Sequence, residues 1–237
     1  MRKYQLSLGG LFDSFPLTPS TPTETIKETL GSLNFGIGVD LDYTAEHNNP
    51  KVAAVTTPPK PHVRIMGYHR ARYVNSRNIH MVCPHFFEDD RRFEVVWRQA
   101  RRHLKLLRRF DSVVGPDFSI LTNFPKPEKV AMSYRIKFLT AWWQREGLTV
   151  YPNVAWADKA SYDYCFDGYP TGSVIAINST GIGRDRRSKV CWMDGYNEAL
   201  ARLRPIHIIR YGAKQDGEDE SISTYLRNDN YNAAHGQ

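Results

Sequence analysis

Cysteine is scarce in this chain. Cys83, Cys165 and Cys191 are three among 237 residues, an odd number at spacings of 82 and 26 that fit no zinc template. Neither a disulfide framework nor a structural zinc module is expected, and a reducing cytoplasm is the default compartment. His80, Cys83 and His85 stand close together, but no second Cys/His pair follows, so no metal site is assigned. Long apolar runs are also missing. None approaches the roughly 20 residues of a membrane span, and the opening MRKYQLSLGGLFDSF lacks the apolar stretch of a secretory signal. There is no Gly-Lys-Ser/Thr phosphate loop, full GxGxxG, helix-turn-helix, RNP or zinc-finger signature, and no histidine arrangement of triad type. Extensive disorder is excluded by what is present, 41% hydrophobic and 12% aromatic residues, which is ample core material.

Turn formers crowd the first third. Residues 17–24 (LTPSTPTE) and 56–61 (TTPPKP) favour extended or turn backbone. Between them Thr23–Leu30 suits a short helix, and the alternation over 33–43 suits a strand or hairpin arm. Residues 1–85 therefore read as a Pro-rich extension that wraps the core, with a partner-binding arm as the alternative.

From Glu88 the text becomes regular. Phe93, Trp97, Ala100, Leu104 and Leu107 recur at helical steps behind an acidic start. Residues 113–121 read as a strand. A second helix carries Ala131, Tyr134, Phe138 and Trp142 on its inner stripe and ends at Gly147. Strands at 148–156, 173–178 and 206–211 follow, with a helix over 184–203 before the last. Apolar strands separated by helical segments predict an α/β fold with a mostly parallel sheet of β-α-β units. An open doubly wound sheet fits best, and a partial, distorted β/α barrel completed by strands from the first third is the alternative. Residues 86–213 form this core domain, and 214–237 form a polar C-terminal tail.

Parallel α/β architecture places ligands at the carboxyl ends of strands. Asp117, Ser119 and Asn123 fall there after the first core strand. Trp156 and Asp158 fall there after the second, Asn178 to Gly183 after the third, and Tyr211 and Gly212 after the fourth. Asp117 and Asp158 are the candidate catalytic carboxylates, for acid–base work or a divalent metal, and Asp167 could join them. The competing reading is that each caps a turn. Ser179, Thr180, Gly181, Gly183, Arg184 and Arg187 are the candidate phosphate-binding residues, because glycines and helix N-terminal amides favour an anion. A tight structural connection is the alternative.

The net charge is +7, and residues 88–110 hold eight basic against four acidic residues. Arg98, Arg102, Lys105 and Arg109 recur at helical spacing opposite the apolar face and are the candidate nucleic-acid contacts. A solvated helix face is the simpler alternative.

Three segments carry a resemblance. They are Phe86 to Trp97 (FFEDDRRFEVVW), Val114 to Ser119 (VGPDFS), and Tyr151 to Trp156 (YPNVAW) with Phe166-Asp-Gly168 and the Ala176–Gly181 loop. Together they resemble a domain-of-unknown-function family of phages, plasmids and other bacterial mobile elements, over about residues 80–212. The resemblance implies such an origin and brings no catalytic residues. The leading expectation is a phage or mobile-element protein that engages nucleic acid or a nucleotide through phosphate contacts. The alternatives are an enzyme on a small phosphorylated or nucleotide-like substrate, and a non-enzymatic protein that binds a host protein through its Pro-rich arm. No membrane partner and no particular cofactor are implied.

Overall fold

The computed structural model describes residues 34–182 and 185–225. The expected helix at 23–30 and most of the tail lie outside them. The chain divides into two units at Asp40. The described part of the first unit holds one helical turn, α1 (Phe35–Gly38), where a strand arm was expected.

The second unit is a succession of parallel strands and helices. Its strands are β1 (Arg64–Gly67), β2 (Val82–His85), β3 (Val113–Val114), β4 (Val150–Tyr151), β5 (Val174–Asn178), β6 (His207–Tyr211) and β7 (Ser223–Tyr225). The helices between them are α2 (Tyr68–Ala71), α3 (Val95–Arg98), α4 (Ala100–Leu107), α5 (Lys126–Arg145), α6 (Tyr162–Phe166) and α7 (Arg186–Leu203). Among the described residues every strand pair is parallel: β1 with β2, β3 with β4, and β5 with β6 with β7. A parallel bridge from Asn153 to Ala176 links the β4 side to β5, and β2 lies against β3. Neighbours in space thus follow chain order, without the reversal of a doubly wound sheet.

Side-chain direction completes this picture. Ile65 of β1, Cys83 of β2, Val114 of β3, Tyr151 of β4, Val174 and Ala176 of β5, and Ile209 of β6 share one buried cluster. The alternate residues Ile175, Ile177 and Ile208 face outward onto Trp192, Tyr196, Ala199 and Leu203 of α7. A strand's period of two sends its apolar residues to both faces, which is why these runs read as continuous. Three small parallel sheets of two, two and three strands, in chain order around one shared buried cluster, agree better with the partial, distorted β/α barrel than with the open doubly wound sheet. Residues 64–85, within the expected extension, supply two of these strands. The segment before them wraps the core: Ala53 exchanges two hydrogen bonds with the Gln144 amide, and Val55 bonds Ser173 and Val174.

Local chemistry sets the boundaries. α5 ends where Gly147 adopts a φ of 89° and its N–H reaches Gln144 O at 2.9 Å. Ala131, expected on the inner stripe of this helix, is exposed. The second half of α5 is instead buried nearly all round, from Ile136 to Trp143. The expected helix over 93–107 is interrupted at Gln99, whose φ of −128° and ψ of 46° separate α3 from α4. Its apolar face survives, with Phe93, Ala100, Leu104 and Leu107 buried. No helix among the described residues is long and apolar enough to cross a membrane.

Candidate active site

The carboxyl ends of β2 to β5 open onto a cavity of about 770 Å³. Phe87 to Asp89 leave β2, Asp117 to Asn123 leave β3, Val154 to Ala157 follow β4, and Asn178 to Ile182 follow β5. Ser188, Cys191 and Trp192 of α7 close one side.

Asp117 is held in place within this wall. Its Oδ1 accepts a hydrogen bond from Asn153 Nδ2 at 2.8 Å, and its Oδ2 accepts one from Asn178 Nδ2 at 2.9 Å. The two amides are themselves fixed. Asn153 Nδ2 also donates to Pro116 O at 3.0 Å, and Asn178 Oδ1 accepts from Thr180 N–H at 2.7 Å. Burial raises the Asp117 carboxyl to about 6. The two amide bonds oppose that rise, and the charge of nearby Asp90 adds to it. Asp90 is likewise raised by burial and accepts from the N–H and hydroxyl of Ser119. A carboxyl that titrates near neutrality in a ligand-sized cavity can take and return a proton.

The other candidates are placed differently. Asp158 accepts from Lys129 Nζ at 3.0 Å and does not line the cavity, so the two expected carboxylates do not converge there. Asp167 accepts from Thr44 Oγ1 at 2.5 Å and Asn49 Nδ2 at 3.0 Å, which ties the 44–49 loop to the core. Among the described residues no group of three His, Cys, Asp or Glu side chains is gathered for a metal ion.

The expected phosphate loop is partly spent on its own structure. Ser179 is buried, and its hydroxyl donates to Ala213 O at 2.6 Å. The Asp185 carboxylate caps α7 by accepting from the N–H and Oγ of Ser188, at 2.8 and 3.0 Å. These bonds and one from the Arg187 N–H hold its carboxyl low. Thr180 and Gly181 line the cavity, whereas the exposed Arg187 borders a separate surface cleft. Gly183 and Arg184 lie outside the described residues.

The basic stripe is likewise divided. Arg98 is exposed on α3 at 3.7 Å from Glu94, and Arg102 bonds Gln99 on α4 beside exposed Lys105. Arg109 lies past the helix end and donates to the carbonyls of Arg72 and Val74 at 3.2 and 2.8 Å.

Two residues escaped the sequence reading above all, the wall residue Trp192 and the buried Asn153 behind Asp117. Asn153 fell inside the strand expected over 148–156, so the carboxyl-end rule passed over it. Trp192 donates from Nε1 to Asn178 O at 3.1 Å and packs 5.7 Å from Trp156. Trp156 in turn lies on Gly195 of α7, where an added Cβ would stand 2.0 Å from its Nε1. Gly195→Ala is therefore expected to push Trp156 out of its position. The cost should be about 1–3 kcal/mol of stability, as for other overpacked sites, with a shift in tryptophan emission. A urea midpoint and spectrum unchanged from the parent would show that the indole gives way freely.

Fold and cavity together define a parallel β/α protein with a ligand-sized cavity at its strand ends. The chain belongs to the domain-of-unknown-function family DUF4417, whose model matches residues 41–229. It is similar to the Gene 1 protein of Mycobacterium phage L5, at 37% identity over 138 residues, covering 58% of this chain and 60% of that protein. It is also similar to the Gene 1 protein of Mycobacterium phage D29, at 35% identity, covering 58% of this chain and 51% of the relative. The chain thus spans little more than half the length of these relatives. No solved structure matches. The expected resemblance to a phage family holds, and the family region begins well before residue 80, taking in β1 as well.

Proposed function

We propose that this phage-family protein is an enzyme of the host-cell cytoplasm that acts on a small nucleotide-like substrate in the carboxyl-end cavity. Asp117 is its acid–base group. The supporting observation is the placement of Asp117: a carboxyl raised to about 6, locked between two asparagine amides, on the wall of the cavity where this fold class binds ligands. Titration of the chain with nucleobases, nucleosides and nucleotides, followed by tryptophan emission from Trp156 and Trp192, should give saturable changes. Any substrate found this way should lose turnover in Asp117→Asn. Silence towards all three compound classes at millimolar concentration would end the proposal.

A polynucleotide role draws on Arg98, Arg102 and Lys105, which stay exposed. It predicts DNA or RNA affinity that falls steeply with salt. Affinity that is salt-independent, or absent at low salt, leaves the cavity as the functional feature.

A further inference from the structure

Resting on that reading, we infer that the cavity takes the heterocycle of a nucleobase or nucleoside, of the guanine type with two adjacent N–H donors, rather than a phosphate group.

The first argument is charge. The charged side chains among the described residues lining the cavity are Glu88, Asp89 and Asp117, all acidic. Asp89 is paired with Arg91, and Glu88 with His69 and Arg92, so Asp117, held by two neutral amides, is the charge that would repel a phosphate dianion. The second is the fate of the amides. Two of the amides an anion would use are already engaged, Ser188 N–H by Asp185 and Thr180 N–H by Asn178 Oδ1. The third is shape. Phe87, Phe118, Trp156 and Trp192 are among the lining residues, and an aromatic lining suits a ring ligand.

The fourth argument fixes the edge of that ring. Each Asp117 oxygen accepts one asparagine hydrogen bond. A carboxylate has about four acceptor directions, so each oxygen keeps one open. Two parallel N–H groups match such a fork. The open fork of Asp117 on the cavity wall thus selects a ligand edge that presents two donors.

The experiment is calorimetric titration of the full chain with guanosine, inosine and guanosine 5′-monophosphate, and of Asp117→Asn with guanosine. Guanosine should bind about tenfold or more tighter than inosine, which lacks the exocyclic amino group. The monophosphate should bind more weakly than guanosine, and Asp117→Asn should lose about tenfold or more for guanosine. The guanosine–inosine comparison uses the unaltered chain, so it stands even where the variant folds poorly. Tighter binding of the monophosphate, or equal binding of inosine and guanosine, overturns this inference while the nucleotide-like site survives. Failure of nucleobases, nucleosides and nucleotides alike removes both.

Discussion

Glu218→Ala is expected to cost about 3–5 kcal/mol of stability, the range for breaking one partner out of a buried ion pair. Arg210 sits in the middle of β6 on its outer face, and both side chains are fully buried. The pair is bidentate, with Arg210 Nε and Nη2 each 2.5 Å from a Glu218 oxygen. Arg210 Nη1 also donates to Ile177 O at 2.7 Å, and the guanidinium lies 5.0 Å from the centre of the Trp192 ring. Glu218 accepts two further bonds, from Gln215 N–H at 2.8 Å and Tyr225 Oη at 2.9 Å. It therefore fastens the segment that carries β7. Burial pushes its carboxyl up, yet the hydrogen bonds and charge from Arg210 outweigh that and hold it below the usual value. Deleting the carboxylate leaves a guanidinium without its counter-charge against the α7 core. Replacing both partners together, Arg210→Met with Glu218→Leu, should restore most of the loss, because two apolar side chains need no compensation. Urea unfolding reads both variants as a change of midpoint. A loss below about 1 kcal/mol in Glu218→Ala would mean that water screens the pair as it does a surface bridge.

That pair lies outside what the sequence displays. Arg210 stands within an apolar strand, and its partner comes from a stretch read as polar tail. Charge pairing across a loop leaves no periodic trace. The strands Val174–Asn178 and His207–Tyr211 were legible because both faces are buried, so the apolar run is continuous. The two before them were read too long. Pro116 and Pro152 follow Val113–Val114 and Val150–Tyr151 closely, and a proline cannot donate to a ladder. Arg64–Gly67 and Val82–His85 were not seen as strands at all. Four residues containing an arginine or a proline show neither alternation nor an apolar run. Helices α5 and α7 were legible because their length lets a 3.6-residue period emerge.

The site was legible in position more than in chemistry. The carboxyl-end rule placed Asp117, Trp156, Asn178, Thr180 and Gly181 in one cavity before any coordinates. It could not separate Asp117 from Asp158. That distinction depends on Lys129, 29 residues from Asp158 and brought to it by the first turn of α5. The proposed anion seat carries a competing local feature that was open to view. Asp185 stands three residues before Ser188, an N-cap spacing, and a helix end that carries its own carboxylate has less need of an external one.

Asp117→Asn should alter the pH dependence of stability in one direction. Asp117 is raised from 3.8 to about 6 by burial, so the folded state holds its proton more tightly than the unfolded chain does. Its stabilising contribution is complete below the unfolded value and is lost as the pH climbs through the folded one. A rise of about two units is worth about 3 kcal/mol in full, and water at the cavity wall reduces that to about 1–2 kcal/mol. The parent's own profile does not isolate this contribution. His85, lowered to about 3 by burial and by the charge of His69, gains stability with pH over an overlapping window. Below the usual glutamate range, the depressed Glu218 carboxyl loses stability as its proton returns. The difference between Asp117→Asn and parent cancels both. It should move in favour of the variant by about 1–2 kcal/mol between about pH 4 and pH 7, because only the parent carries the ionising group. Paired urea melts across that range measure it. A difference that stays flat would show that Asp117 ionises as readily in the fold as in the open chain, and would remove the physical basis for its acid–base role.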